Sequence, residues 1–354
     1  MKYIVKRAAE TRLFDPRACR DVKSPQSSLK RTATQKNMSF AYVPSYIRTP
    51  YGQSQGWVSF KDSKMIKTRT IQFIVIFLAL LGIHIGCTQE ESGQRKLIDF
   101  RDSHSIRNRK PILIAHRGGV VTAQSPECSL VAIRLAKQQG YAMVELDVRK
   151  SKDHVPIVFH DSDMKKACGI DKSIKDLNAD EITRITYVNT EQTICTLDQA
   201  LSICRSLKLG IMLDVKAQKD EKFFHKIVTL IEKHGHEDSC VTINGDPDLR
   251  RHLKEVALLT VTQDEFKKVQ QGLSCDLRNK FWFGLPQQLP SEMVRPLQQN
   301  GAYVIPAINT FRYRDKGHYE LARQDIQRLN EAGVDGYQID SVYQPLFLDK
   351  KREK

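Results

Sequence analysis

An α/β fold with a parallel sheet closed as a (β/α)8 TIM barrel is the class that residues 111–345 predict. Three observations carry it. From residue 111 onward, short β-rich runs alternate with amphipathic stretches long enough for helices. The runs number eight over about 240 residues, the size at which such a barrel closes. Four of the runs end in ionisable side chains, as they would where a barrel builds its site.

The expected strands are 111–115, 143–148, 157–160, 211–216, 240–243, 257–261, 303–308 and 336–339, and each is a β-branched or apolar run of strand length. The expected helices are 127–139, 178–185, 196–207, 221–234, 291–299 and 319–332, where apolar residues recur at helical spacing. A doubly wound open sheet is the alternative. It lacks its phosphate loop, because His116-Arg-Gly-Gly119 after the first run is not GxGxxG.

Composition bounds what the rest of the chain can be. With 354 residues, 40% apolar and 27% charged, it is neither fibrous nor disordered throughout, and 8 irregularly spaced Cys do not make a disulfide scaffold. The formal charge of +15 is concentrated at the front. Residues 1–69 hold 15 Lys and Arg against 4 Asp and Glu, a surplus of 11, which leaves +4 for the remaining 285 residues. A nearly neutral body gives no reason to expect nucleic acid as a partner.

Residues 1–64 are polar, basic and aperiodic, and are expected to be a disordered extension. Residues 65–87 read as a signal peptide or membrane anchor: Met65, Lys67 and Arg69 precede the apolar run Ile71–Gly86, which is followed by Cys87 and polar residues. The run is short of the roughly 20 residues a spanning helix needs. Gly86-Cys87 resembles a bacterial lipoprotein cleavage site, with His84 where Leu is usual, so Cys87 is a candidate for lipidation. Export follows, either tethered to a membrane as a lipoprotein or free as a periplasmic or secreted protein. Translation beginning at Met65 would leave 1–64 unmade. Residues 88–110 are expected to be a linker and 346–354 a basic tail.

The run ends carry the chemistry. Ile112-Leu-Ile-Ala leads into His116-Arg117, Met143-Val into Glu145-Leu-Asp147, Pro156-Ile-Val-Phe into His160-Asp161, and Ile211-Met-Leu into Asp214-Val-Lys216. Side chains two apart on a strand share a face, so Glu145 neighbours Asp147 and Asp214 neighbours Lys216. Singly, each pattern is commonplace: a surface ion pair or a hydrogen-bonded structural His. Together at one barrel mouth they would be costly to desolvate without an ion or a substrate. Clustered carboxylates suit a hard divalent cation, Mg²⁺ or Ca²⁺, and the Arg and Lys suit a phosphate.

These residues resemble, in order, the motifs of the glycerophosphodiester phosphodiesterase family: His116-Arg-Gly, Pro126-Glu127, Glu145-Leu-Asp-Val148, Ser151-Lys-Asp153, His160-Asp161, Asp214-Val-Lys216 and Gly333-Val-Asp-Gly336 with Asp340. The resemblance spans about residues 111–341. It implies a TIM barrel that hydrolyses glycerophosphodiesters, phospholipid-derived small molecules, to glycerol 3-phosphate and an alcohol. It also implies that Glu145, Asp147 and Asp214 bind the cation, His116 and His160 act as acid and base, Arg117 and Lys216 hold the phosphate, and Glu127 supports them. A phospholipase-D-like or phosphoinositide-cleaving relative, or an inactive phosphate-binding barrel, are the rival readings.

The departures are specific. Cys128-Ser129 replaces the family's Asn-Thr after Pro-Glu. Asp214 replaces a Glu and is a methylene shorter, so it would reach an ion through water. His154 stands where the family's turn has Gly. The family's Trp near the penultimate strand is absent from Val304–Asn309.

Overall fold

The computed structural model describes residues 96–348, apart from 218, 244 and 314–316. The extension 1–64, the segment 65–87 with Cys87, and residues 349–354 of the expected tail lie outside the described residues. Among the described residues no helix is long and apolar enough to cross a membrane.

A short helix α1 (Ser103–Arg107) leads into β1 (Ile112–Ala115), α2 (Leu130–Gln138) and β2 (Met143–Lys150). An excursion follows, with β3 (Pro156–Val158), α3 (Lys165–Cys168), α4 (Ala179–Ile182) and β4 (Cys195–Thr196). The alternation then resumes with α5 (Leu197–Leu207), β5 (Gly210–Val215), α6 (Glu221–Lys233), β6 (Cys240–Thr242), α7 (Pro247–Leu253), β7 (Leu258–Thr260) and α8 (Gln263–Gln270). It ends with β8 (Lys280–Trp282), α9 (Val294–Gln299), β9 (Tyr303–Val304), β10 (Ala307–Ile308), α10 (His318–Ala332), β11 (Gly336–Ile339) and α11 (Pro345–Leu348).

The strands pair in parallel in the order β10-β11-β1-β2-β5-β6-β7-β8-β9. β9 and β10 are two parts of one passage of the chain. Between them, the Ile305 N–H donates to Trp282 O at 3.0 Å while Pro306 O accepts from the Gln338 N–H at 3.0 Å. The sheet therefore curls round on itself, as a TIM barrel does.

Strand periodicity sorts the side chains. Ile112, Ile114, Met143, Met212, Val241, Leu258, Phe281 and Ile305 form an inner cluster. Their neighbours Ala115, Val144, Leu146, Val148, Ile211 and Leu213 pack outward with helix residues such as Ile133, Leu201 and Ile227. Ile98, Phe100 and Ile106 join the inner cluster, and the Tyr303 hydroxyl donates to Phe100 O at 2.7 Å. Residues 96–110, expected as part of a linker, thus pack against the inner face. Helix starts follow ordinary capping: Ser129 caps α2, Asp220 caps α6, and Thr196 with Gln199 forms a capping box on α5.

Two strand expectations are corrected. The run 157–160 is not a barrel strand: β3 pairs antiparallel with β2, Val148 opposite Val158. Only five residues separate the two strands, enough for a hairpin and far too few for a parallel crossover. The eighth barrel strand is instead β8, whose three residues are too short for any periodicity to show. Among the helices, 127–139 begins only at Leu130, 178–185 contracts to α4, 291–299 starts as a 3-10 turn, and α7 and α8 were not anticipated.

Candidate active site

The inward parity of the core strands continues past their ends. Glu145 and Asp147 follow Met143, Asp214 and Lys216 follow Met212, and His116 follows Ile112 and Ile114. The β2–β5 register sets Asp147 directly opposite Asp214. One carboxylate oxygen from each of Glu145, Asp147 and Asp214 lies within 4.8 Å of the others. Glu145 and Asp147 are buried. Lys216 Nζ answers them, 2.9 Å from Asp147 Oδ1 and 2.5 Å from Asp214 Oδ2.

Burial, then the charges of Asp147 and Asp214, push the Glu145 carboxyl well above the usual range, against a bond from the Arg117 N–H. Burial works against the Lys216 ammonium, but Asp147 and Asp214 outweigh it and hold its pKa above the ordinary value. Such a set of hard oxygen donors, two of them buried and all mutually repelling, fits a divalent cation.

The loop after β1 is bound to this trio. Arg117 adopts a left-handed backbone, φ 54°, and donates its N–H to Glu145 Oε2 at 2.7 Å. Its Nη1 reaches Glu127 Oε2, also at 2.7 Å. The Gly118 N–H donates to Glu145 O at 2.6 Å. At Gly118, φ +78°, a Cβ would sit 2.6 Å from the Cys128 Cα, so only glycine lets the loop pass. Cys128, in the place of the family's Asn, is itself left-handed at φ 60° and donates its thiol to Asp147 Oδ2 at 3.7 Å. Asn tolerates that conformation best, and Cys keeps it.

Both histidines are backed by carboxylates. His116 Nδ1 lies 2.6 Å from Asp340 Oδ1, and His160 Nδ1 lies 2.7 Å from Asp161 Oδ1. Burial would raise the Asp161 carboxyl, but the His160 bond brings it below the usual range. His160 follows β3 in the hairpin rather than a barrel strand, yet it comes to the same end of the sheet. The Phe159 N–H donates to Asp147 O at 2.9 Å, and ligand atoms of Glu127, His160 and Asp161 lie within 4.8 Å of one another. The turn before it keeps its form without glycine, His154 taking φ 60°.

The structure therefore brings together His116, Arg117, Glu127, Glu145, Asp147, His160, Asp214 and Lys216, all the described residues singled out for the site. Sequence reasoning missed four others, among them Asp161, which was seen only within the His160-Asp161 motif. Asp340 was seen only as part of a motif, and no role was read for it. Arg149, two residues beyond Asp147 and so on the same face, donates from Nε and Nη2 to His160 O at 2.9 and 2.6 Å. Cys128 touches Asp147. Parity could have found Arg149; nothing local announces the Asp340 contact, 224 residues from His116. A cavity of about 280 Å³ is lined by His116, Arg117, Glu127 and Asp340 with Val121 and Phe311. A second, of about 400 Å³, opens beside Lys216 and Arg149.

Comparison with known proteins identifies the family. The model of the glycerophosphoryl diester phosphodiesterase family matches residues 116–343. Among curated proteins, a mouse glycerophosphodiester phosphodiesterase 1 is 31% identical over 115 residues, 30% of this chain and 34% of that protein. The chain thus spans about a third of the length of the mammalian relatives it matches. A glycerophosphodiester phosphodiesterase from Caldanaerobacter subterraneus is 23% identical over 266 residues, 68% of this chain and 99% of that protein. Among solved structures, a glycerophosphoryl diester phosphodiesterase from Parabacteroides distasonis superposes with a TM-score of 0.57 at 17% identity, covering 72% of this chain and 93% of that one. A phosphodiesterase from Oleispira antarctica, solved with the product sn-glycerol-3-phosphate, gives 0.51 at 19%, covering 70% and 99%. The motifs that meet at one end of the curled sheet fall within a family match covering well over half of the sequence, and the chain belongs to the glycerophosphoryl diester phosphodiesterase family.

Proposed function

We propose that the protein is a metal-dependent hydrolase that converts glycerophosphodiesters to glycerol 3-phosphate and an alcohol. The observation that carries this is the pairing of two carboxylate-backed imidazoles, His116–Asp340 and His160–Asp161, at the same end of the sheet as an acidic trio whose Glu145 and Asp147 are buried. With Nδ1 of each ring tied to a carboxylate, Nε2 is the nitrogen left for proton transfer. Arg117 and Lys216 hold the anionic phosphate, which otherwise repels nucleophiles. One imidazole takes the proton of the attacking hydroxyl, the glycerol 2-hydroxyl as the family resemblance suggests. The other protonates the leaving alkoxide as its P–O bond breaks. Water then opens the cyclic phosphate, adding its hydroxyl to phosphorus and its proton to the 2-oxygen. Glu145, Asp147 and Asp214 would hold Mg²⁺ or Ca²⁺, whose chemistry is to stabilise charge on the phosphoryl oxygens. Glu127 keeps the Arg117 guanidinium aimed.

Release of glycerol 3-phosphate from glycerophosphocholine and glycerophosphoethanolamine, with and without divalent ions, tests this directly. His116→Ala and His160→Ala are each expected to lose at least about two orders of magnitude in rate. Near-normal turnover in either, or chelator-insensitive turnover in the parent, contradicts the assignment. Export, with tethering through residues 65–87 and Cys87, rests on the sequence pattern alone. Mass spectrometry of the mature amino terminus tests it, and an intact Met1 refutes it.

A further inference from the structure

We propose that the cavity beside Lys216 is a subsite for a phosphomonoester carried by the leaving alcohol, so that the preferred diester has a phosphorylated head group. This rests on the phosphodiesterase reading above. The cavity, about 400 Å³, is lined by Arg149, Lys150, Lys175 and Lys216 with Ser162 and Ser173, and no carboxylate lines it.

Two of its four cations are already matched. Lys150 pairs with Asp220, and Lys216 with Asp147 and Asp214. The other two make no ion pair among the described residues. Arg149 directs both its bonds to the neutral carbonyl of His160, while the carboxylates nearest it are engaged by Lys216 and His160. Lys175 is exposed and makes no ion pair among the described residues. Two unmatched cations of this kind suit a dianionic phosphate rather than a neutral or cationic head group. The Ser173 hydroxyl is given to Ser162 O at 2.8 Å, which leaves the Ser162 hydroxyl to meet a polyol.

Position makes this the leaving-group side. Lys216 lines this cavity and pairs with two carboxylates of the trio, whereas Arg117 joins the trio to the 280 Å³ cavity containing His116. A diester whose phosphate lies at the trio extends one ester arm toward each. The glycerol arm fits the smaller cavity, and the larger one, within the usual range of ligand pockets, takes the head group.

The test uses the full chain with glycerophosphoinositol and its counterpart phosphorylated on the inositol ring. The expected result is kcat/KM at least about tenfold higher for the phosphorylated diester, with Lys175→Glu reducing that ratio at least about tenfold. A ratio of one or less in the parent, or a ratio unmoved by K175E, overturns the subsite. Calorimetry with inositol monophosphate provides a readout independent of turnover. Binding at least about tenfold weaker in K175E supports the subsite, and equal or absent binding overturns it. If neither diester is hydrolysed with any divalent ion, the phosphodiesterase reading fails and calorimetry alone decides the subsite.

Discussion

Asp340 Oδ1 lies 2.6 Å from Nδ1 of His116, and its Oδ2 accepts the Thr310 N–H at 2.6 Å and the Thr310 hydroxyl at 2.8 Å. Burial would raise this carboxyl, but the His116 bond, its charge and the Thr310 donors hold it below the usual range. Asp340 is therefore an anion across the neutral range, and it fixes which imidazole nitrogen carries the proton. Asp340→Asn keeps the volume and loses the charge. It is expected to lower kcat by about two to three orders of magnitude with little change in KM, a split that steady-state kinetics will show. A kcat within a few-fold of the parent would mean that Asp340 merely fills space.

The trio makes a separate prediction. Asp214 is the most exposed of the three and shares Lys216 with Asp147. Asp214→Ala removes a candidate ligand and leaves the ammonium leaning on Asp147. The divalent-ion concentration for half-maximal activity should rise at least about tenfold, while excess ion restores part of the rate. Metal titration followed by activity and by calorimetry checks this. An unchanged midpoint would remove Asp214 from the ligand set.

Much of this site is readable in the sequence, because a strand's period of two assigns faces without further information. Glu145 with Asp147, and Asp214 with Lys216, needed only that rule. His160 reached the right place for the wrong reason: Pro156–Val158 looks like any buried strand, and only the five-residue gap after Lys150 marks it as a hairpin. β8 was hidden because three residues flanked by a left-handed Asn279 and Gly284 draw their strand character from β7 and β9 on either side. The Asp340 partnership, the left-handed Arg117 and the packing of Ile98, Phe100 and Ile106 against the inner cluster all depend on long-range closure. No local propensity encodes them.

The loop that carries His116 should be intolerant of even a methyl group. Gly119 has φ +138°, and a Cβ there would lie 2.1 Å from Ala132 O and 2.8 Å from Ile133 N, both main-chain atoms of α2. Neither can move without unwinding the first turn of that helix. Gly119→Ala is expected to destabilise the protein by about 2–4 kcal/mol and to displace the Arg117 contacts to Glu145 and Glu127. Urea unfolding measures the first effect. Loss of activity in the fraction that remains folded measures the second. A variant as stable and active as the parent would show that the loop has another path.

Acid sensitivity should come in part from a histidine far from the chemistry. His236 is fully buried; its Nε2 faces Leu201 O at 3.2 Å and its Nδ1 faces the Ser239 hydroxyl at 2.9 Å. Burial lowers its pKa to about 4, against the bond to Leu201 O, which favours the charged form. Because the folded state binds this proton less readily than the unfolded chain, stability is intact above the ordinary histidine value of about 6.5 and declines as pH falls from there through about 4. The full effect is about 3 kcal/mol. His236→Gln retains an amide donor for Leu201 O and has nothing to titrate. It should be less stable than the parent by about 1 kcal/mol at neutral pH, yet lose about 2 kcal/mol less on going to roughly pH 4.5. Urea midpoints for both proteins at the two pH values decide the matter, and parallel declines would show that the acid sensitivity lies elsewhere.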